Sequence, residues 1–341
     1  MAALVSTAPI AGRRMARAAA LAAGAAALAL AAAASASAAT EPKLTVPLAK
    51  LDAALHCYPA TRPAAHLQPI MLVTGTGASG QELYAIGKPA IDTYGAPVCT
   101  VDFPSFTTGD IQIAVQYLVH GIRVQSRRAG RSIAVFGISQ GGLLPRWALT
   151  YWPSLRRKVT DVISAAGTQH GTNVGSLARC RARPGCPPAD WQQAAGSRLL
   201  TALNAYPDES PGPTAWTTVR SLTDETVQPQ GGPHPTSALQ GATNILIQSV
   251  CPGRRVTHIG TALDSVNFAA IADAVTHVGP AKISRLPRTV CSGLYAPGLS
   301  EQTTGALLTA ATNLTGSRIA GGGVTGVTSE PAVQAYARPR R

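Results

Sequence analysis

The sequence predicts an α/β fold, a mostly parallel central sheet with helices on both faces. Three observations predict it. Short apolar, β-branched runs alternate along the chain with longer stretches of helical period. Some of these runs, Ile70 to Val73 and Ile133 to Phe136 among them, are apolar without alternation, as strands covered on both faces should be. One of them is joined to a helical stretch by a Gly-x-Ser-x-Gly turn, Gly137-Ile138-Ser139-Gln140-Gly141, and such a turn requires a strand before it and a helix after it.

The elements follow in order. Pro69 to Val73 reads as a buried strand ending in the Thr/Gly-rich loop Thr74-Gly75-Thr76-Gly77. Ala96 to Val101 is a second strand. Asp110 to Arg128 is a helix with apolar positions at Ile111, Val115, Leu118, Val119 and Ile122, and Gly109-Asp110 starts it. Ser132 to Phe136 is the strand before the turn. Gly141 to Tyr151 is the helix after it, and Pro145 fits there only near the first turn, where a missing N–H costs little. Val159 to Ser164, Trp216 to Leu222 and Asn244 to Val250 supply further strands. Two stretches break the rhythm. Asp208 to Pro213 is Pro-rich, and Thr168 to Pro188 is rich in Gly, Arg and Pro. Loops after parallel strands line the binding crevice, so the region of about 168–196 is a candidate lid or pocket rim; the other reading is a surface insertion pinned by a disulfide.

The turn carries the chemistry. A serine hydroxyl is a weak nucleophile near neutral pH. It needs a base to take its proton, and the base needs an acid to orient it. In this strand-turn-helix architecture, the α/β-hydrolase fold, the chain order is Ser, then Asp or Glu, then His. Asp224 lies just past the strand ending at Leu222, beside a second carboxylate at Glu225. Three histidines lie downstream. His234 follows Asp224 with no strand between, and His277 lies after a further helical stretch. His258, a short loop after the Asn244–Val250 strand, fits the base. The oxyanion of the transition state needs fixed donors. The residue after the nucleophile, Gln140, supplies one, and the loop around Thr76 supplies the other. A phosphate-binding role for Thr74 to Gly77 is disfavoured, because no Lys follows at the required spacing.

Bulk properties bound the setting. Arg13, Arg14 and Arg17 precede an Ala/Leu run from Ala18 to about Ala34, and Ala36-Ser37-Ala38 is a small-residue cleavage pattern. Residues 1–38 therefore read as a secretory signal, and 39–341 as one domain. The Arg13-Arg14 pair hints at twin-arginine export. No later stretch is long and apolar enough to span a membrane. The formal charge is +13, and without the three leading arginines it is about +10. An Arg-biased solvated surface is the expected source of this; the other reading is attraction to anionic surfaces such as cell wall or acidic lipid. No zinc-finger, helix-turn-helix or RNP pattern accompanies it, so a nucleic-acid partner is not expected. Six cysteines in an exported chain suggest disulfides, which count alone does not pair. By spacing, Cys180 and Cys186 close a short loop, Cys57 and Cys99 flank the first half of the sheet, and Cys251 and Cys291 flank the C-terminal region. With no C-x-x-C and no His pair at helical spacing, no metal is expected; nor is a cofactor, and the chain is expected to act as a monomer.

Several segments resemble the Candida antarctica lipase B family of secreted α/β-hydrolases. They are Val73-Thr74-Gly75-Thr76-Gly77, Ser139-Gln140-Gly141-Gly142-Leu143, Trp191-Gln192-Gln193 with Gly196-Ser197, Thr223 to Gln230, and Tyr336-Ala337-Arg338-Pro339. The resemblance implies Ser139 as nucleophile, Asp224 as acid, His258 as base, and an oxyanion hole from Thr76 and Gln140. It also implies a substrate pocket containing Ile138, Thr168, Gln193, Thr226 and Val227, and the pairs Cys57–Cys99 and Cys251–Cys291. The chain departs from the family pattern in places. Ile138 stands where the family has a tryptophan that floors the alcohol-side pocket, which predicts room for bulkier alcohols. Thr168 to Thr172 occupies a loop that carries an aspartate in the family. Cys180 and Cys186 have no counterpart there, and a C-terminal cysteine pair is missing. The expected activity is hydrolysis of acylglycerol-type esters, with a cutinase-like polyester hydrolase, a short-chain esterase or an amidase sharing the same triad. A catalytically silent surface binding protein is the alternative from another class.

Overall fold

In a computed structural model of the chain the described residues are 41–61, 67–173, 180, 185–321 and 326–338. The expected signal at 1–38 lies outside them, as do 174–179 and 181–184 of the expected rim and Pro339.

Seven strands form the sheet among the described residues: β1 (Leu55–Tyr58), β2 (Ile70–Val73), β3 (Val98–Val101), β4 (Ile133–Ile138), β5 (Val159–Ala165), β6 (Ala215–Arg220) and β7 (Thr243–Leu246). Their order is β1-β3-β2-β4-β5-β6-β7. β1 runs antiparallel to β3, and all other pairs are parallel. One row of the ladder runs through Val73, Gly137, Ser164, Thr218 and Asn244. The loops after β2, β4, β5, β6 and β7 therefore leave from one edge, where open α/β sheets place their ligands.

The helices are α1 (Leu48–Ala53), α2 (Gly80–Tyr94), α3 (Ile111–Ala129), α4 (Gln140–Tyr151), α5 (Pro188–Gln193), α6 (Arg198–Asn204), α7 (Gly260–Leu263), α8 (Ser265–Thr276) and α9 (Glu301–Gly321). Successive strand residues point to opposite faces, and this splits the apolar core in two. Met71, Val73, Val101 and Val135 pack with α3, α4 and α6 on one face. Ile70, Leu72, Phe136, Ile138 and Ile163 pack with α2 and α8 on the other. The helix starts are chemically marked. The Ser79 hydroxyl accepts from the Glu82 N–H while the Glu82 carboxylate accepts from the Ser79 N–H, a capping box that opens α2. Asp110 accepts from the Gln112 N–H and opens α3, as expected from its position in the sequence.

Differences from the sequence reading are local. The run expected to be strand to Val250 stops at Leu246, and Ile247–Val250 is a helical turn. β6 ends at Arg220, opposite Leu246, so residues beyond it have no parallel partner to pair with. Pro145 sits in the second turn of α4, not the first, and the helix continues through it. β1 and α2 were not anticipated as elements. The three disulfides are Cys57–Cys99, Cys180–Cys186 and Cys251–Cys291, with Cα separations of 4.0, 5.5 and 5.5 Å. The first joins residues directly opposite each other in the β1/β3 ladder.

Candidate active site

β4 delivers the chain to Ser139, which adopts φ 58°, ψ −127° before α4 begins at Gln140. A left-handed φ is costly for a serine and persists only where surrounding packing enforces it. Here the crossing of strand and helix enforces it. A Cβ on Gly137 would lie 1.9 Å from the Gly141 carbonyl oxygen, and one on Gly141 would lie 2.2 Å from that of Val73. Only glycine permits that approach. Gln140 is the first residue of α4, so its backbone N–H has no intrahelical acceptor and points out of a helix N-terminus.

Asp224 follows β6 and His258 follows β7, each by a loop. His258 Nδ1 lies 2.8 Å from Asp224 Oδ2, and both side chains are buried. The other Asp224 oxygen accepts from the Thr226 and Val227 N–H groups, each at 2.8 Å. Glu225 has a separate place: its carboxylate accepts from the His258 backbone N–H at 2.9 Å. Ser139 and His258 share one cavity of about 440 Å³. No direct hydrogen bond joins their side chains among the described residues. His234 lies in the wall of a separate cavity, and His277 pairs with Asp273 at the end of α8.

Thr76, Ile138, Thr168, Gln193, Thr226 and Val227 all line the cavity with Ser139. Asp224 and Gln140 lie behind its wall. A polar network joins the wall residues. The Thr76 hydroxyl donates to Gln140 Oε1 at 2.7 Å, and Gln193 Nε2 lies 2.9 Å from Thr76 Oγ1 and 3.1 Å from Gln140 Oε1. The Thr168 hydroxyl donates to Gln193 Oε1 at 3.0 Å.

The sequence reading missed two parts of the site. Asp190, on α5, is buried in the cavity wall. α9 forms a second wall through Leu307, Ala310, Leu314, Thr315 and Ile319. Its approach depends on Gly77, at φ 83°, where a Cβ would meet Thr315 Cγ2 at 2.7 Å. Arg318 ties down the far end of α9. Its guanidinium forms a bidentate pair with Glu82 at 2.7 and 2.9 Å and stacks over the Phe106 ring, 3.7 Å from the centroid. These hydrogen bonds hold the Glu82 carboxyl below its usual range. Cys180, Cys186 and Asp190 cluster at the rim, but both sulfurs are committed to the disulfide.

The chain is similar to known proteins. Lipase B of Pseudozyma antarctica is 32% identical over 270 residues, which cover 77% of this chain and 78% of that protein. The chain belongs to the lipase B family. The crystal structure of Aspergillus fumigatus lipase B matches it with a TM-score of 0.80 at 28% identity, over 88% of this chain and 74% of that one. The lipase BlEst2 of Bacillus licheniformis in its propeptide form matches with a TM-score of 0.50 at 16% identity, over 67% of this chain and 54% of that one, a likeness of fold alone. No family model matches the chain. Membership in the lipase B family makes this an ester hydrolase of α/β-hydrolase fold.

Proposed function

We propose that this chain is a secreted serine lipase or carboxylesterase that hydrolyses acylglycerol-type esters through Ser139, His258 and Asp224. The observation that carries the reading is the His258–Asp224 hydrogen bond beside a serine on a strained strand-to-helix turn, in one cavity. Ser139 Oγ attacks the ester carbonyl while the far nitrogen of His258 takes its proton. Asp224, held by two backbone N–H groups, keeps Nδ1 protonated and steadies the imidazolium. The Gln140 N–H and the Thr76 loop receive the oxyanion. The same proton then goes to the leaving alcohol. Water attacks the acyl-enzyme by the reverse path and releases the acid. The basic, apolar leader and three disulfides support export. The apolar α9 wall supports an acyl-chain substrate.

The test is hydrolysis of emulsified triolein and of tributyrin by the parent and by Ser139→Ala, with fluorophosphonate labelling of the folded parent. Loss of both activities in the variant and labelling at Ser139 are expected. Equal activity in Ser139→Ala would overturn the mechanism, and an unlabelled, inactive parent would favour a silent binding protein.

A further inference from the structure

The loop that carries His258 runs from the Cys251–Cys291 disulfide to the start of α7 and has little regular structure of its own. Side chains hold its backbone at Arg254, Val256 and His258. The Arg254 carbonyl accepts from Gln248 Nε2 at 2.8 Å, and the buried Arg254 guanidinium pairs with Asp264. The Val256 carbonyl accepts from the Ser221 and Thr223 hydroxyls, each at 2.9 Å, and the Val256 N–H donates to Thr223 Oγ1 at 2.8 Å. The His258 N–H donates to Glu225 Oε2 at 2.9 Å.

The holds at Val256 and His258 come from one stretch of chain. Ser221, Thr223 and Glu225 alternate along it and reach the backbone of the histidine loop. Asp224, between the last two, turns instead to the His258 ring. A ring held through Nδ1 alone can still pivot about that one bond. The backbone N–H sits on the same Cα as the ring, so fixing it removes this freedom. Ser139 and His258 share a cavity with no direct hydrogen bond between their side chains among the described residues. Their contact therefore forms during the reaction and depends on where the loop sets the imidazole. Glu225 also differs from its two neighbours in the stitch. Ser221 is fully buried, whereas Glu225 is exposed and lines the cavity with Ser139. Water can take the place of its carboxylate there, so its removal leaves the N–H solvated but no longer fixed.

We propose that Glu225 is a positioning residue for the reaction: it fixes the His258 backbone so that the imidazole meets Ser139, and it does so by reach rather than by charge. The proposal rests on the assignment of Ser139, His258 and Asp224 as the triad.

The experiment measures kcat and KM for p-nitrophenyl butyrate, and the rate of Ser139 labelling by a fluorophosphonate, in the parent and three variants. Glu225→Gln keeps an acceptor at the same reach and loses the charge. Glu225→Asp keeps the charge and falls one methylene short. Glu225→Ala removes both, and Glu225→Asp carries the comparison if that variant folds poorly. In Glu225→Asp and Glu225→Ala, kcat and the labelling rate should fall about tenfold while KM changes by less than about twofold, because a misplacement of about 1 Å costs about a hundredfold in rate and a loosened loop still visits the productive position. Glu225→Gln should match the parent. Parent-like rates in Glu225→Asp and Glu225→Ala, a Glu225→Gln variant as slow as Glu225→Ala, or a raised KM at unchanged kcat would overturn the proposal. Hydrolysis that survives Ser139→Ala overturns the reading beneath it instead.

Discussion

Asp161 gives the sharpest test of the energetics. It lies on β5 between β4 and β6, opposite Ala134 and Ala215, and is only 4% exposed. One carboxyl oxygen has no hydrogen-bond partner among the described residues. Burial pushes its pKa from 3.8 up to about 6, eased only by the neighbouring Thr160 hydroxyl. The folded protein thus keeps a proton that the unfolded chain releases at lower pH. As pH rises from 3.8 to 6 the unfolded state is favoured, and stability falls. A shift of about two units, at 1.36 kcal/mol each, corresponds to about 3 kcal/mol lost by pH 7. Asp161→Asn removes the ionisation and keeps the shape. The variant should be more stable than the parent by up to about 3 kcal/mol at pH 8, with the difference shrinking towards zero at pH 4. Urea unfolding followed by circular dichroism at the two pH values measures it. A difference independent of pH, or a variant less stable at pH 8, would refute the argument.

Glu209→Gln should destabilise the fold by about 2–3 kcal/mol in denaturant titrations, because Arg146 is fully buried and Glu209, 3.8 Å away, is its counter-charge. Burial lowers Arg146 to about 10; burial also works to raise Glu209, but the His170 hydrogen bond, the Gln240 N–H and Arg146 outweigh it and bring Glu209 to about 2. The Glu209 contribution is therefore full above pH 4.5 and is lost as pH falls toward 2. Glu82→Gln keeps the capping-box acceptor but removes the charge facing Arg318. It should speed hydrogen exchange in the last turns of α9 by about fivefold, as loss of about 1 kcal/mol would, with little change elsewhere. Ser79→Ala removes the α2 cap and should cost about 1 kcal/mol, read as a fall in Tm of about 2 °C; an unchanged Tm would mean that the cap is redundant.

The parts legible in the sequence are those whose signal is local. β2 and β4 are fully buried, and continuous apolar runs announced them; β5 is nearly as buried but is interrupted by Thr160 and Asp161. The same signal overran at Ile247–Val250, since an apolar run alone does not separate strand from helix. β1 is short and largely half-exposed, so Leu55-His56-Cys57-Tyr58 carries no such run. α9 has three glycines and no continuous apolar stripe, and its helix went unseen although its residues wall the site. Ser139, Asp224 and His258 could be singled out as candidates because chain order and strand ends constrain such a set. Glu225 was read only as a rival to Asp224, and its bond to the His258 N–H depends on a loop path that no spacing rule encodes. The Arg318–Glu82 pair spans 236 residues of sequence and is visible only in three dimensions.

For the proposed reaction, the two oxyanion donors differ in kind. The Gln140 N–H is fixed by α4 and free from the start. The Thr76 hydroxyl is already spent on Gln140 Oε1, and turning it toward an oxyanion breaks that 2.7 Å bond. The rearrangement is cheap only if the buried acceptor left behind stays satisfied. Gln193 meets that condition. Its Nε2 lies 3.1 Å from Gln140 Oε1 and 2.9 Å from Thr76 Oγ1, so it keeps the carbonyl paired and still donates to the turned hydroxyl. Thr168, donating to Gln193 Oε1, fixes which end of that amide faces the site. The preorganisation of the hole thus extends one layer back from the atoms that touch substrate, into residues supplied by the loop after β5 and by α5.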